Sequence, residues 1–225
     1  MSPSTPTQSF ASLGVPAPIV AALNAVGVTE PFPIQAVTLA DSLAGRDLLG
    51  RGKTGSGKTI AFAIPLVAAL AASTERPTNE RRPGSPRGLV LVPTRELANQ
   101  VAAVIAPLAQ AMKLRHTVVY GGVGFGNQTA ALRNGVDIVV ACPGRLEDLM
   151  QQGHCRLDRV EVTVIDEADH MADMGFLPAV KRIMDRTPKT GQRLLFSATL
   201  DNDVKVLIDR YLNNPVTHAL DPADS

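Results

Sequence analysis

Gly50-Arg51-Gly52-Lys53-Thr54-Gly55-Ser56-Gly57-Lys58-Thr59 contains the spacing G-x-x-x-x-G-K-T from Gly52 to Thr59, and it follows the short apolar run Leu48-Leu49. Between a strand end and a helix start, this spacing forms a phosphate-binding loop. Gly52, Gly55 and Gly57 let the backbone turn with its N–H groups facing inward, and a helix beginning near Lys58 adds the positive end of its dipole. Lys58 is placed to neutralise terminal phosphates and the Thr59 hydroxyl to ligate Mg²⁺. A glycine-rich turn that merely reversed the chain would not need the terminal Lys-Thr.

A second stretch supports the first. Val160-Glu161-Val162-Thr163-Val164-Ile165 reads as a largely buried strand that runs straight into Asp166-Glu167-Ala168-Asp169. An acidic pair at the carboxyl end of a strand is where a nucleotide-hydrolysing α/β domain holds Mg²⁺ and activates water. Taken alone, the same acids also suit a helix N-terminus, where they complement the dipole.

The 225 residues, 45% of them hydrophobic, fit one large α/β domain. A formal net charge of +1 supplies no bulk electrostatic attraction for nucleic acid, so any such partner has to be argued from local motifs. Cys142 and Cys155 are too few for a disulfide framework and lack metal-ligand spacing. The N-terminus has no basic cluster followed by an apolar segment, and the Ala-rich stretch at 60–72 is too short to span a bilayer and contains Pro65. The expectation is a soluble, cytoplasmic protein with no membrane partner.

Helical spacing from Pro16 to Val26 is followed by β-branched or apolar runs at Leu48-Leu49, Leu89–Val92, Thr117–Tyr120, Asp137–Val140, Val160–Ile165 and Leu194–Phe196. Helix-length segments separate them at Lys58–Ala72, Arg95–Met112, Asn127–Arg133, Pro143–Gln151, Leu177–Arg186 and Asp201–Leu212. Such alternation predicts a mostly parallel sheet with helices on both faces. Sites in these sheets collect beyond the strands' carboxyl ends, where the phosphate loop, Pro93-Thr94-Arg95, Gly121-Gly122, Pro143-Gly144-Arg145, Asp166-Glu167 and Ser197-Ala198-Thr199 all fall. Ser73–Gly88 reads as a mobile surface loop with solvated arginines, and Thr217–Ser225 as a frayed linker.

In order and content these motifs resemble the N-terminal RecA-like domain of the DEAD-box RNA helicases, a P-loop NTPase fold. The resemblance covers residues 10–214, leaving 1–9 as a flexible start and 215–225 as a linker. Beyond the phosphate loop and the D-E-A-D run, it rests on Pro93 to Ala98, Gly121-Gly122, Cys142-Pro143-Gly144-Arg145 and Ser197-Ala198-Thr199. It implies that Gly52, Thr54, Gly55, Ser56, Gly57, Lys58 and Thr59 bind ATP, that Asp166 and Thr59 hold Mg²⁺, and that Glu167 handles the attacking water. RNA would meet Pro93, Thr94, Arg95, Gly121, Gly122, Pro143, Gly144 and Arg145 through its backbone, with Asp169, Ser197 and Thr199 coupling the two sites. Gly27 to Gln35 resembles the family's adenine-reading segment: Gln35 would read the base, and Phe10, 17 positions before Gly27, would stack on it. On residue type alone, Phe10 equally suits the core.

Gly52, Cys142 and Val28 stand where the family usually has Ala, Thr and an aromatic, and Cys142 puts a hydroxyl contact to phosphate in doubt. The family also uses a second RecA-like domain, and nothing resembling one follows in these 225 residues. The chain therefore reads as the ATP-binding half of an ATP-dependent RNA helicase. Two other readings stay open at this point: a nucleotide-gated RNA clamp, and a P-loop enzyme acting on a small molecule.

Overall fold

The computed structural model describes residues 8–52, 57–73 and 81–219. In chain order the elements are α1 (Ala17–Ala25), α2 (Pro33–Leu43), β1 (Leu48–Arg51), α3 (Lys58–Ala72), β2 (Gly88–Leu91), α4 (Arg95–Ala111), β3 (His116–Val119), α5 (Gly126–Arg133), β4 (Ile138–Ala141), α6 (Pro143–Gln151), β5 (Val162–Ile165), α7 (Ala168–Asp173), α8 (Leu177–Met184), β6 (Gln192–Ser197), α9 (Asn202–Tyr211) and β7 (Val216–Ala219). The strands form one sheet in the order β3-β4-β2-β5-β6-β1-β7, and every neighbouring pair is parallel.

The period-two alternation of the strands divides the core. Leu48, Val90, Val140, Val164, Leu194 and Phe196 face one apolar cluster with α1 to α4, while Leu49, Leu89, Leu91, Val139, Ile165 and Leu195 face the other with α5 to α9. Gly50 is required by this packing, because a β-carbon there would lie 2.5 Å from the Phe196 ring, which itself packs against Phe62. With both faces covered, the sheet leaves its carboxyl edge as the open place for chemistry.

Three segments depart from the sequence expectation. Val216–Ala219 is not linker but an edge strand in register with β1. The buried Asp47 explains it: its carboxylate accepts the Arg193 N–H at 2.8 Å and the Asn213 N–H at 2.7 Å, and its carbonyl accepts the Val216 N–H at 2.9 Å. Pro33–Leu43 is a helix, started by proline at its first position. Arg81 and Arg87, within the loop read as solvated, are pinned. Arg81 Nε donates to Asp137 at 2.7 Å, and Arg87 donates to the Leu70 carbonyl at 3.0 Å and pairs with Asp137 and Glu161. Asp137, just before β4, is buried and requires cations beside it.

Candidate nucleotide and nucleic-acid site

The end of β1 leads to Gly52, whose N–H donates to the Ser197 carbonyl at 3.2 Å, so the loop leaves the sheet beside β6. Thr54, Gly55 and Ser56 lie outside the described residues. Gly57 resumes the chain at the N-cap of α3 with φ 78°, a left-handed conformation that glycine adopts without steric cost. Lys58 and the half-buried Thr59 form the first turn of α3.

Lys58 Nζ lies 4.0 Å from Asp166 Oδ1, and the two residues are only 7% and 3% exposed. Asp166 is anchored at the end of β5, where its N–H donates to the Leu91 carbonyl at 3.0 Å. Burial pushes its carboxyl up to about 6, against the opposing pull of Lys58. Because the folded value lies above the unfolded one, this group favours folding below about pH 4, and that contribution is lost as pH rises through about 6. The melting temperature of Asp166→Asn minus that of wild type, measured without nucleotide, is therefore expected to increase from pH 4.5 to pH 7.5. A difference independent of pH would contradict the raised value.

Glu167 follows at the N-cap of α7 with φ 51° and ψ 52°, a left-handed conformation that costs a residue with a β-carbon about 1–2 kcal/mol. Its N–H donates to Asp166 Oδ1 at 2.9 Å, and its Oε2 lies 3.2 Å from His170 Nδ1. The two acids thus diverge: Asp166 turns toward the phosphate loop, and Glu167 is held on the α7 side. Among the described residues there is no cluster of three metal-ligating side chains. One buried carboxylate opposite a lysine, with a threonine hydroxyl on the adjoining helix turn, suits a cation that keeps waters and phosphate oxygens as most of its ligands, as Mg²⁺ does.

Asp169 joins α7 to the turn after β6. Its N–H donates to Ser197 Oγ at 3.1 Å, and its Oδ2 accepts from the Thr199 N–H at 3.1 Å and from Thr199 Oγ1 at 3.2 Å. Ser197 in turn donates to the Thr199 carbonyl at 2.7 Å. The three residues assigned to coupling are thus one hydrogen-bonded unit.

Along the same edge toward β3, Thr94 caps α4 by accepting the Leu97 N–H at 3.2 Å, and Pro93 is buried behind it. The Arg95 guanidinium sits 5.0 Å from the Tyr120 ring centre, and that of Arg145 sits 4.0 Å from the Phe125 ring centre. Arg145 Nη2 donates to the Val123 carbonyl at 2.9 Å, while its buried Nη1 has no hydrogen-bond partner. Gly121, Gly122 and Gly144 are exposed, and Gly122 has φ 78°. Pro143 occupies the first turn of α6 after Cys142, whose thiol makes no capping hydrogen bond, packs on the core and is raised to about 11 chiefly by burial. Arg95, Gly121, Gly122 and Gly144 are exposed along this edge, with Pro93 and Pro143 buried behind them and both arginines set against aromatic rings, an arrangement of guanidinium and exposed backbone suited to phosphate oxygens.

Gln35 and Phe10 part company. Gln35 Oε1 accepts the Phe32 N–H at 2.9 Å and Nε2 donates to the Gly57 carbonyl at 3.1 Å, so this amide ties the start of α2 to the phosphate loop. Phe10, expected beside it, is instead 1% exposed within the core cluster that holds Ile19, Leu23 and Ile34. Burying the ring removes more apolar surface from water than an exposed position would. Two neighbours escaped the sequence reading: His170, signalled only by its i+3 spacing from Glu167, and Phe32, whose backbone N–H donates to Gln35 Oε1 at the start of α2.

A profile of the DEAD/DEAH box helicase family matches residues 32–207. The chain is 47% identical over 209 residues to DEAD-box ATP-dependent RNA helicase 3A, chloroplastic, from Zea mays, covering 93% of this chain and 28% of that protein. It is 43% identical to ATP-dependent RNA helicase RhlB from Pseudomonas putida, covering 89% of this chain and 51% of that one. A crystal structure of a DEAD box protein from Methanococcus jannaschii superposes with a TM-score of 0.85 at 32% identity, covering 94% of this chain and 55% of its own. A hypothetical ATP-dependent RNA helicase from Sulfolobus tokodaii gives 0.80 at 33%, covering 90% and 56%. The chain therefore spans between about a quarter and just over half of the length of these relatives.

Proposed function

Because this chain belongs to the DEAD/DEAH box helicase family and has the RecA-like P-loop NTPase fold, we propose that it is the ATP-binding half of an ATP-dependent RNA helicase, hydrolysing ATP and gripping the RNA backbone when joined to a second RecA-like domain. The observation that carries this reading is the buried pair of Lys58 and Asp166 at 4.0 Å, with Glu167 directly following. It supports a reading in which Lys58 neutralises phosphate, Asp166 holds the metal and Glu167 handles water at one sheet edge.

In this proposal Thr59 and Asp166 hold Mg²⁺, which when bound neutralises charge on the phosphate oxygens. Lys58 leaves Asp166 to meet the β/γ-phosphates, and Gly57 and Lys58 present the N-terminus of α3 to the same oxygens. Glu167 accepts the proton of the attacking water, a role favoured by a carboxylate separate from the metal-holding one. Asp169, Ser197 and Thr199 transmit the state of α7 to the turn after β6, because their mutual hydrogen bonds prevent one segment from moving alone. On the RNA side, Arg95, Arg145 and the exposed glycines meet phosphates and sugars, which positions a strand without reading its sequence.

Gln35 supports adenine as the base. Its amide has two donors and two acceptor lone pairs, and the contacts to Phe32 and Gly57 use one of each. Gln35 is fully buried in this structure, so a base reaches the remaining donor and acceptor only once the amide is uncovered; adenine N7 and N6–H₂ then match them, whereas guanine offers an acceptor at both places. The test is calorimetric titration of ADP and GDP into the chain and its Gln35→Ala variant. ADP is expected to bind more tightly than GDP, and the variant to lose about 1–3 kcal/mol of that preference. Equal affinity of the wild type for both purines would overturn the adenine assignment.

A further inference from the structure

Resting on the reading of Glu167 as the base that handles the attacking water, we propose that His170 is a positioning residue for hydrolysis: its ring holds one oxygen of the Glu167 carboxylate and leaves the other free to take a proton. Glu167 stands at the N-cap of α7, where an acidic side chain ordinarily turns back to accept the N–H of the second or third helical residue. Both of those groups are already taken. The Asp169 N–H donates to Ser197 Oγ at 3.1 Å and the His170 N–H donates to Asp169 Oδ1 at 3.0 Å, and Glu167 makes no capping hydrogen bond. Among the described residues its carboxylate has one hydrogen-bond partner, His170 Nδ1 at 3.2 Å from Oε2, and Oε1 has none. An ionised carboxylate can only accept, which assigns the Nδ1 proton to the histidine.

Two constraints then act on the same carboxylate. The left-handed backbone of Glu167 fixes the direction in which its side chain leaves the chain, and the ring that reaches back from the i+3 position limits the torsions that remain. A glutamate without that contact would sample rotamers that place its carboxylate elsewhere, whereas a base held by one oxygen keeps close to a single geometry. The open oxygen retains the lone pairs that a general base needs. His170 also ties the base to the coupling unit, because its backbone N–H donates to the same Asp169 carboxylate whose Oδ2 accepts from the Thr199 N–H at 3.1 Å and from Thr199 Oγ1 at 3.2 Å. A shift of the turn after β6 thus reaches the Glu167 carboxylate through Asp169 and one histidine. A half-exposed pair of this kind adds little to stability, so loss of the ring is expected to show in turnover rather than in folding.

The test measures ATP hydrolysis at saturating RNA by this chain joined to a second RecA-like domain. His170→Ala is expected to lower kcat about tenfold, with KM for ATP and the affinity for Mg·ADP unchanged. His170→Asn, whose amide N–H can stand where the Nδ1–H stands, is expected to recover most of that loss. In a Glu167→Gln background, followed by single-turnover hydrolysis, His170→Ala is expected to cause no further loss, because a residue that acts through another has no effect once that other is disabled. Wild-type kcat in His170→Ala would overturn the proposal, as would a failure of His170→Asn to recover, or the same tenfold loss added on top of Glu167→Gln. Wild-type turnover in Glu167→Gln alone would instead contradict the reading of Glu167 as the base, and this proposal with it.

Discussion

Glu167→Gln, made in this chain joined to a second RecA-like domain, is expected to lower ATP turnover by about 10²–10⁴ while leaving nucleotide affinity close to that of wild type. The change keeps the side chain's shape and removes its basicity. Phosphate contacts are assigned to Lys58 and the start of α3, and the metal to Asp166 and Thr59, so none of the groups that bind the nucleotide is altered. The left-handed backbone at Glu167 is equally accessible to Gln, and an amide oxygen can still face the exposed His170 Nδ1, so a small stability change, within about 1 kcal/mol, is expected at this partly buried side chain. Steady-state hydrolysis and an equilibrium titration on the same preparation check both halves of the statement. Unaltered turnover would remove Glu167 from the role of water activator, and lost affinity would show that it holds the metal.

The second large effect comes from outside the described residues. Lys58 lies on the α3 side of the loop, and Arg95 and Arg145 are held at Tyr120 and Phe125, toward β3. Among the described residues Lys58 is the cation that pairs with Asp166, so charge developing on the γ-phosphate is expected to be only partly matched by this chain. Attaching a RecA-like domain that brings arginines to the γ-phosphate is expected to raise ATP turnover by about 10³–10⁵ over the 225-residue chain. Single-turnover hydrolysis by the two proteins at equal concentration measures it. Comparable rates would mean that this chain already contains the whole catalytic apparatus.

The parts of the molecule that were legible in the sequence are those in which residue identity alone dictates the chemistry. The acidic pair after a β-branched run and the described flanks of the phosphate loop, Gly52 and Gly57 to Thr59, have a fixed spacing and lie at the ends of β5 and β1 and at the start of α3, and the alternation of strand and helix appears as the parallel sheet. The illegible parts depend on tertiary neighbours. β7 exists because Asp47 is buried between β1 and the segment after α9, and nothing local in Val216–Ala219 announces it. α2 is not among the helix-length segments, because Pro31 and Pro33 break the pattern at its start, and only the contact between the Phe32 N–H and Gln35 shows where the helix begins. Phe10 and Phe32 are indistinguishable as residues, and only the core packed around one and the water around the other separates them. Cys142 shows the same limit, since its lack of a capping bond and its packing are properties of the folded α6 start.

The central claim, that this edge couples ATP chemistry to RNA, is tested most directly by ATP hydrolysis of the two-domain protein at saturating Mg·ATP, with and without single-stranded RNA. The account predicts turnover that rises strongly with RNA, with the RNA's apparent affinity falling steeply as salt is added and varying little with base sequence, because the contacts are to the backbone. Turnover of the same size with and without RNA would contradict it.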